Sequence, residues 1–115
     1  MRTLLILGLI CWAGVFPASA QSDAPDDARK GHQLAATICA VCHVAASDQA
    51  YQPILNPPAP SFESIAQRKD TNADSLRHFI TTTHRGLDAP KGMPDPDLMD
   101  YQVNEVVAYI PTLRK

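Results

Sequence analysis

The chain is short of aromatic side chains, of excess charge and of cysteine. Phe, Trp and Tyr together make up 6% of its 115 residues, and the one tryptophan is Trp12. Ten basic residues stand against twelve acidic ones, for a formal charge of −2. With no basic run and no array of rings on which bases could stack, nucleic-acid binding is excluded. No apolar run reaches the ~20 residues that a membrane-spanning helix needs. There is no internal repeat. The three cysteines permit one local disulfide or one cofactor and no more.

What is present begins with "MRTLLILGLICWAGVFPASA". Arg2, the apolar run from Leu4 to Phe16 and the small residues Ala18-Ser19-Ala20 read as a secretory signal peptide over residues 1–20, cleaved after Ala20. Cys11 and Trp12 leave with it; Ile10 stands where a lipidation site would want a small residue. Loss of Arg2 takes the formal charge from −2 to −3. The remaining chain, fewer than about 100 residues, builds only a thin core and calls for a staple. Residues 21–27, "QSDAPDD", read as a flexible leader, and 28–115 as one domain.

The pattern beyond is all-α. Ala28, Gly31, Leu34, Ala35 and Ile38 recur at helical spacing, predicting a helix from about Asp27 to Ala40 capped by Asp26 or Asp27. Residues 44–60 carry Pro53, Pro57, Pro58 and Pro60, predicting an extended loop long enough to wrap something. Ser61 starts a short helix with Phe62 and Ile65 inward. Asn72 or Asp74 caps a third, with Leu76, Phe79, Ile80 and Thr83 on one face. A second loop, "RGLDAPKGMPDPD", precedes a last helix striped by Val103, Val106, Val107 and Ile110 and ended near Pro111. That makes about four helices and two long loops.

One stretch carries chemistry. "TICAVCHVAA", residues 37–46, places Cys39, Cys42 and His43 as C-x-x-C-H. A redox dithiol wants a βαβ setting with the cysteines at a helix N-terminus, and no strand pattern is present. Structural zinc wants four ligands, and the motif supplies three at most. Covalent haem attachment uses all three residues: two thiols add to two vinyl groups, and the next residue presents an imidazole to the iron. Candidates for the sixth ligand are Met93, Met99, His32, His78 and His84. Met93 is favoured, since Gly92 and Pro94 make a turn that aims its thioether inward and His/Met ligation raises the potential. Met99 reads as a packing or surface residue, His32 and His78 as solvated helix positions.

Taken together these residues resemble a class I cytochrome c of the small bacterial periplasmic type. "CAVCH" resembles the attachment motif, "GHQLAATIC" the first helix, "APSFESIA" the approach to the middle helix, "GMPDPDL" the ligand loop and "EVVAYIPTL" the last helix. The resemblance implies one covalent haem c held by Cys39 and Cys42, with His43 proximal and Met93 distal to the iron. It also implies that Gly31 lets the first helix cross the last closely, with Tyr109 at the contact. A carbonyl of the proline region, sought among Leu55 to Pro58, would accept the His43 Nδ1 proton. Where the family commonly caps the last helix with Ser or Thr stands Met99, so Asp97 or Asp100 is expected to cap. Arg68, Lys69 and Tyr101 are the substitutes considered for a missing propionate partner.

The expectation is a periplasmic electron carrier that is not an enzyme. Its partners would be redox proteins, such as a dehydrogenase, an oxidase or another cytochrome, and its closed iron leaves no room for a small-molecule substrate. A monomer or a haem subunit of a larger complex both fit. A sensor or enzyme with an open sixth site, and a haem-free dithiol or metal module, are the rival readings. Asp95, Asp97 and Asp100 beside Arg85 and Lys91 offer a partner both signs of charge, so modest salt dependence is expected.

Overall fold

The computed structural model describes residues 24–82 and 93–115. The expected signal peptide, with Cys11 and Trp12, lies outside the described residues, as do Thr83, His84, Arg85, Lys91 and Gly92. Four α-helices follow in order: α1 Ala24–Thr37, α2 Phe62–Ala66, α3 Ala73–Thr82 and α4 Asp100–Tyr109. Tight 3-10 turns occupy Cys39–Val41 and Ile110–Leu113. Among the described residues there is no strand, only an isolated bridge from His43 to Ala59.

The first helix differs from its expectation at both ends. It starts at Ala24, so 24–27 of the expected leader are helical, and Asp26 and Asp27 sit in its first turn instead of capping it. Asp26 bonds forward to Arg29, and to Lys30 Nζ at 2.8 Å. At the other end the Thr37 hydroxyl donates back to the carbonyls of Gln33 and Leu34, both at 3.0 Å. The chain then tightens into the 3-10 turn, so the motif stands past the α-helix and not within it.

The crossing of α1 over α4 follows from Gly31. A β-carbon there would stand 2.0 Å from the Glu105 carbonyl oxygen and 2.9 Å from Tyr109 Cβ. Only hydrogen fits, which bears out the expected close approach and its Tyr109 contact. Beneath it Ala35, Phe62, Leu76, Ile80, Val103, Val106, Val107, Tyr109 and Ile110 form one apolar cluster, with Leu98 packed on its side. The α4 stripe is buried as expected.

Caps fix the remaining helices. The Ser61 hydroxyl accepts from Ser64 N at 3.1 Å and opens α2. Asn72 and Ser75 exchange side-chain bonds, each taking the other's N–H at 2.9 Å, so Asn72 and not Asp74 caps α3. Phe79, expected inward on α3, is 48% exposed. At α4 neither Asp97 nor Asp100 caps. Met99 is the N-cap residue, and Gln102 Oε1 reaches back to its N–H at 2.9 Å. Asp97, at φ 48°, instead gives its N–H to the Asp95 carboxylate at 2.9 Å. Pro111 stands in the 3-10 turn that ends α4, as expected.

Candidate functional site

The site is built on the Cys39–Val41 turn. The Cys39 carbonyl accepts from both Cys42 N at 3.1 Å and His43 N at 2.9 Å. This shared acceptor winds three chemical side chains into a single turn. Both thiols are free and partly buried. Burial, with the neighbouring Cys42 second, pushes the Cys39 thiol up to about 11. It is therefore protonated near neutrality, the reverse of what a redox-active dithiol requires. Among the described residues no group of three or more His, Cys, Asp or Glu is placed to hold a metal ion.

His43 is 7% exposed. Its Nδ1 lies 2.6 Å from the Pro60 carbonyl oxygen. A carbonyl only accepts, so Nδ1 carries the proton and Nε2 presents a bare lone pair. That Nε2 is buried and has no partner in the protein. Phe62 tilts against the ring with centroids 5.4 Å apart. The carbonyl is not one of Leu55 to Pro58: Ala59 N bonds Cys42 O and Phe62 N bonds Val44 O, each at 3.0 Å. Those two bonds lay the loop parallel to the segment from Cys42 to Val44 and bring Pro60, which lies between them, to the imidazole.

Cys39, Cys42 and His43 share one turn; Met93, near His43, is partly buried in the irregular stretch leading to Leu98. Met99 is 65% exposed and His78 is exposed, as expected. His32 is not a solvated position. Its Nε2 bonds the Asp48 carboxylate at 2.7 Å, and its ring meets Tyr109 edge-on at 5.3 Å. This bond holds the Asp48 carboxyl below the usual carboxylate range. Arg68, Lys69 and Tyr101 are all exposed.

Sequence reasoning passed over two residues. Gln49 binds four main-chain groups of the loop after His43. Arg114 donates to the carbonyls of Ala66 at 2.8 Å and Thr71 at 2.5 Å, tying the C-terminal turn to the end of α2. Neither has a motif to announce it.

The cytochrome c family model matches residues 28–114. The chain belongs to the cytochrome c family. It is similar to cytochrome c-552 of Bradyrhizobium diazoefficiens, 35% identical over 105 residues that cover 91% of this chain and 92% of the relative. No solved structure matches it significantly. The helical architecture is that of a class I cytochrome c, and the cofactor is a covalently attached haem c serving electron transfer. Members of the family are generally electron carriers whose partners are redox proteins.

The residues of this cytochrome fit that group. Two thiols match two vinyl carbons, and a buried imidazole nitrogen with no protein partner matches an iron ligand. The polypeptide also leaves apolar side chains open within and beside the motif: Ile38, Val41 and Val44 are 44%, 48% and 41% exposed.

Proposed function

We propose that this protein is a monohaem electron carrier in which Cys39 and Cys42 hold the haem, His43 Nε2 is the proximal iron ligand and the Met93 thioether the distal one. The observation that carries the reading is the asymmetry of His43: one nitrogen bonded to Pro60, the other buried with no partner. When bound, the group supplies a one-electron couple between Fe(III) and Fe(II). Each cysteine S–H adds across one vinyl double bond, sulfur to one carbon and hydrogen to the other, with no change of redox state. The Pro60 carbonyl fixes the tautomer and plane of His43 and raises its basicity. Phe62 keeps water from the ring. The soft sulfur of Met93 favours Fe(II).

With His43 and Met93 both holding the iron, no ligand position would be left for a small-molecule substrate, so the protein would exchange electrons with redox proteins and would not be an enzyme. Residues 1–20 direct it to the periplasm and are removed, leaving the domain at 28–115. Among the described residues no helix is long and apolar enough to cross a membrane. Intact mass of the exported protein checks the cleavage: a chain starting at Gln21 plus one haem is expected, and retention of residues 1–20 would refute it.

The decisive experiment is a visible spectrum, oxidised and reduced, before and after acid-acetone extraction. Colour that stays with the protein and a weak far-red sulfur-to-iron band in the oxidised form are expected. Covalent haem without that band, with rapid carbon monoxide binding by the reduced protein, would replace the carrier by a sensor or enzyme with an open sixth site.

A further inference from the structure

We propose that Gln49 is a positioning residue for the axial ligand, holding the main chain that leaves His43 as Pro60 holds its ring. The proposal rests on His43 being the proximal ligand. A primary amide accepts two hydrogen bonds and donates two, and Gln49 makes all four within its own loop. Oε1 accepts from Ala45 N at 2.7 Å and Ala46 N at 3.2 Å. Nε2 donates to Tyr51 O at 2.7 Å and to His43 O at 3.4 Å. One partly buried side chain thus bridges the two ends of the segment 43–51.

The segment needs such a clip. It is irregular, and the backbone bonds that tie the long loop to the motif come only later, at Ile54, Ala59 and Phe62. Ala45 and Ala46 are buried, 1% and 5% exposed, so their N–H groups cannot turn to water if the amide is lost. The position of an imidazole depends on two things, the backbone it hangs from and the bond at its far nitrogen. Pro60 supplies the second at Nδ1. Gln49 supplies the first, because its bonds fall on the His43 carbonyl and on the two N–H groups just beyond. The ring keeps a short, straight bond to Pro60 only while that backbone stays where Gln49 places it. A weaker bond to Pro60 makes the imidazole less basic and so a poorer donor to Fe(III).

The test uses the haem-loaded protein with Gln49→Leu and Gln49→Glu. Glu keeps the acceptor for Ala45 and Ala46 and turns both donors into a charge facing two carbonyls, so it tests the donor half alone should the leucine variant fail to accumulate. Asn72→Ala, which removes the α3 cap far from the loop, is the control for lost stability. Two readouts are taken: the haem-methyl proton shifts of the oxidised protein, which report the plane of the axial imidazole, and the midpoint potential. For both Gln49 variants we expect moved methyl shifts, and a reduced-to-oxidised ratio above one when poised at the wild-type midpoint. The far-red sulfur band should be retained, and Asn72→Ala should change neither readout. Gln49 variants that melt earlier with wild-type methyl shifts and potential would overturn the proposal while leaving His43 as ligand. A wild-type protein without axial-imidazole signals would remove the His43 reading itself, and this one with it.

Discussion

A buried imidazole whose Nδ1 donates to a carbonyl has an unprotonated Nε2, and burying that lone pair with nothing to accept costs about 1–3 kcal/mol. At His43 an iron bound at Nε2, as proposed above, would offset that cost. The other proposed ligand is tested by Met93→Ala. It should abolish the far-red band, open the iron to carbon monoxide and lower the potential on the order of 0.1 V, within the roughly 0.8 V that axial ligands span. Of these residues, Cys39, Cys42 and His43 were legible because their chemistry depends on spacing alone. Pro60 was misplaced by two positions, because the choice of carbonyl is made by backbone bonds at Ala59 and Phe62 that no side chain signals. His32 was misjudged for a related reason: its partner Asp48 lies in a loop whose path the sequence does not give. That pair has its own pH signature. Because the folded Asp48 carboxyl is held below its ordinary value of 3.8 by the bond from His32, the stabilisation is present above that value. It is lost as pH falls through the lowered one. Melting temperatures of the haem-loaded wild type and Asp48→Asn should therefore differ modestly above pH 3.8, draw together as pH falls below it, and converge once pH is under the lowered folded value.

At the scale of elements, all four helices were legible, and their starts were legible where a side chain caps them. Ser61 and Asn72 announced α2 and α3, whereas α1 ends before Ala40, where the Thr37 hydroxyl competes for the carbonyls of Gln33 and Leu34. The cap of α4 was misassigned to Asp97 or Asp100 because the bond that closes it comes from within the helix, at Gln102. Loss of the α3 cap in Asn72→Ala should cost about 1 kcal/mol. The helix crossing is less forgiving. Gly31→Ala sets a methyl 2.0 Å from the Glu105 carbonyl oxygen. Backbone must move, so thermal unfolding of the haem-loaded protein should reveal a loss of about 3 kcal/mol or more. Each kcal/mol lowers the melting temperature by about 4–8 °C in a domain of this size.

At the largest scale, the apolar cluster is thin: among the described residues Val103 and Val106 are the largest side chains fully buried. Such a core needs its cofactor, and the haem-free chain should show little helix by circular dichroism and no cooperative melt; a native-like melt would contradict this. Toward partners, the acidic Asp95, Asp97 and Asp100 are all exposed near the Met93 segment. With Arg85 and Lys91 close in sequence, electron-transfer rates should fall only modestly with added salt, and a steep fall would reveal a single-signed docking face. The α1–α4 crossing also has a meaning in time. Gly31 emerges early in synthesis and the Glu105 backbone it fits against emerges near the end. At about 5–20 residues per second, α1 waits several seconds for its partner. Throughout that interval the Cys39 and Cys42 thiols ride on an unclosed chain, and a chain stalled short of α4 should hold them unclosed for longer.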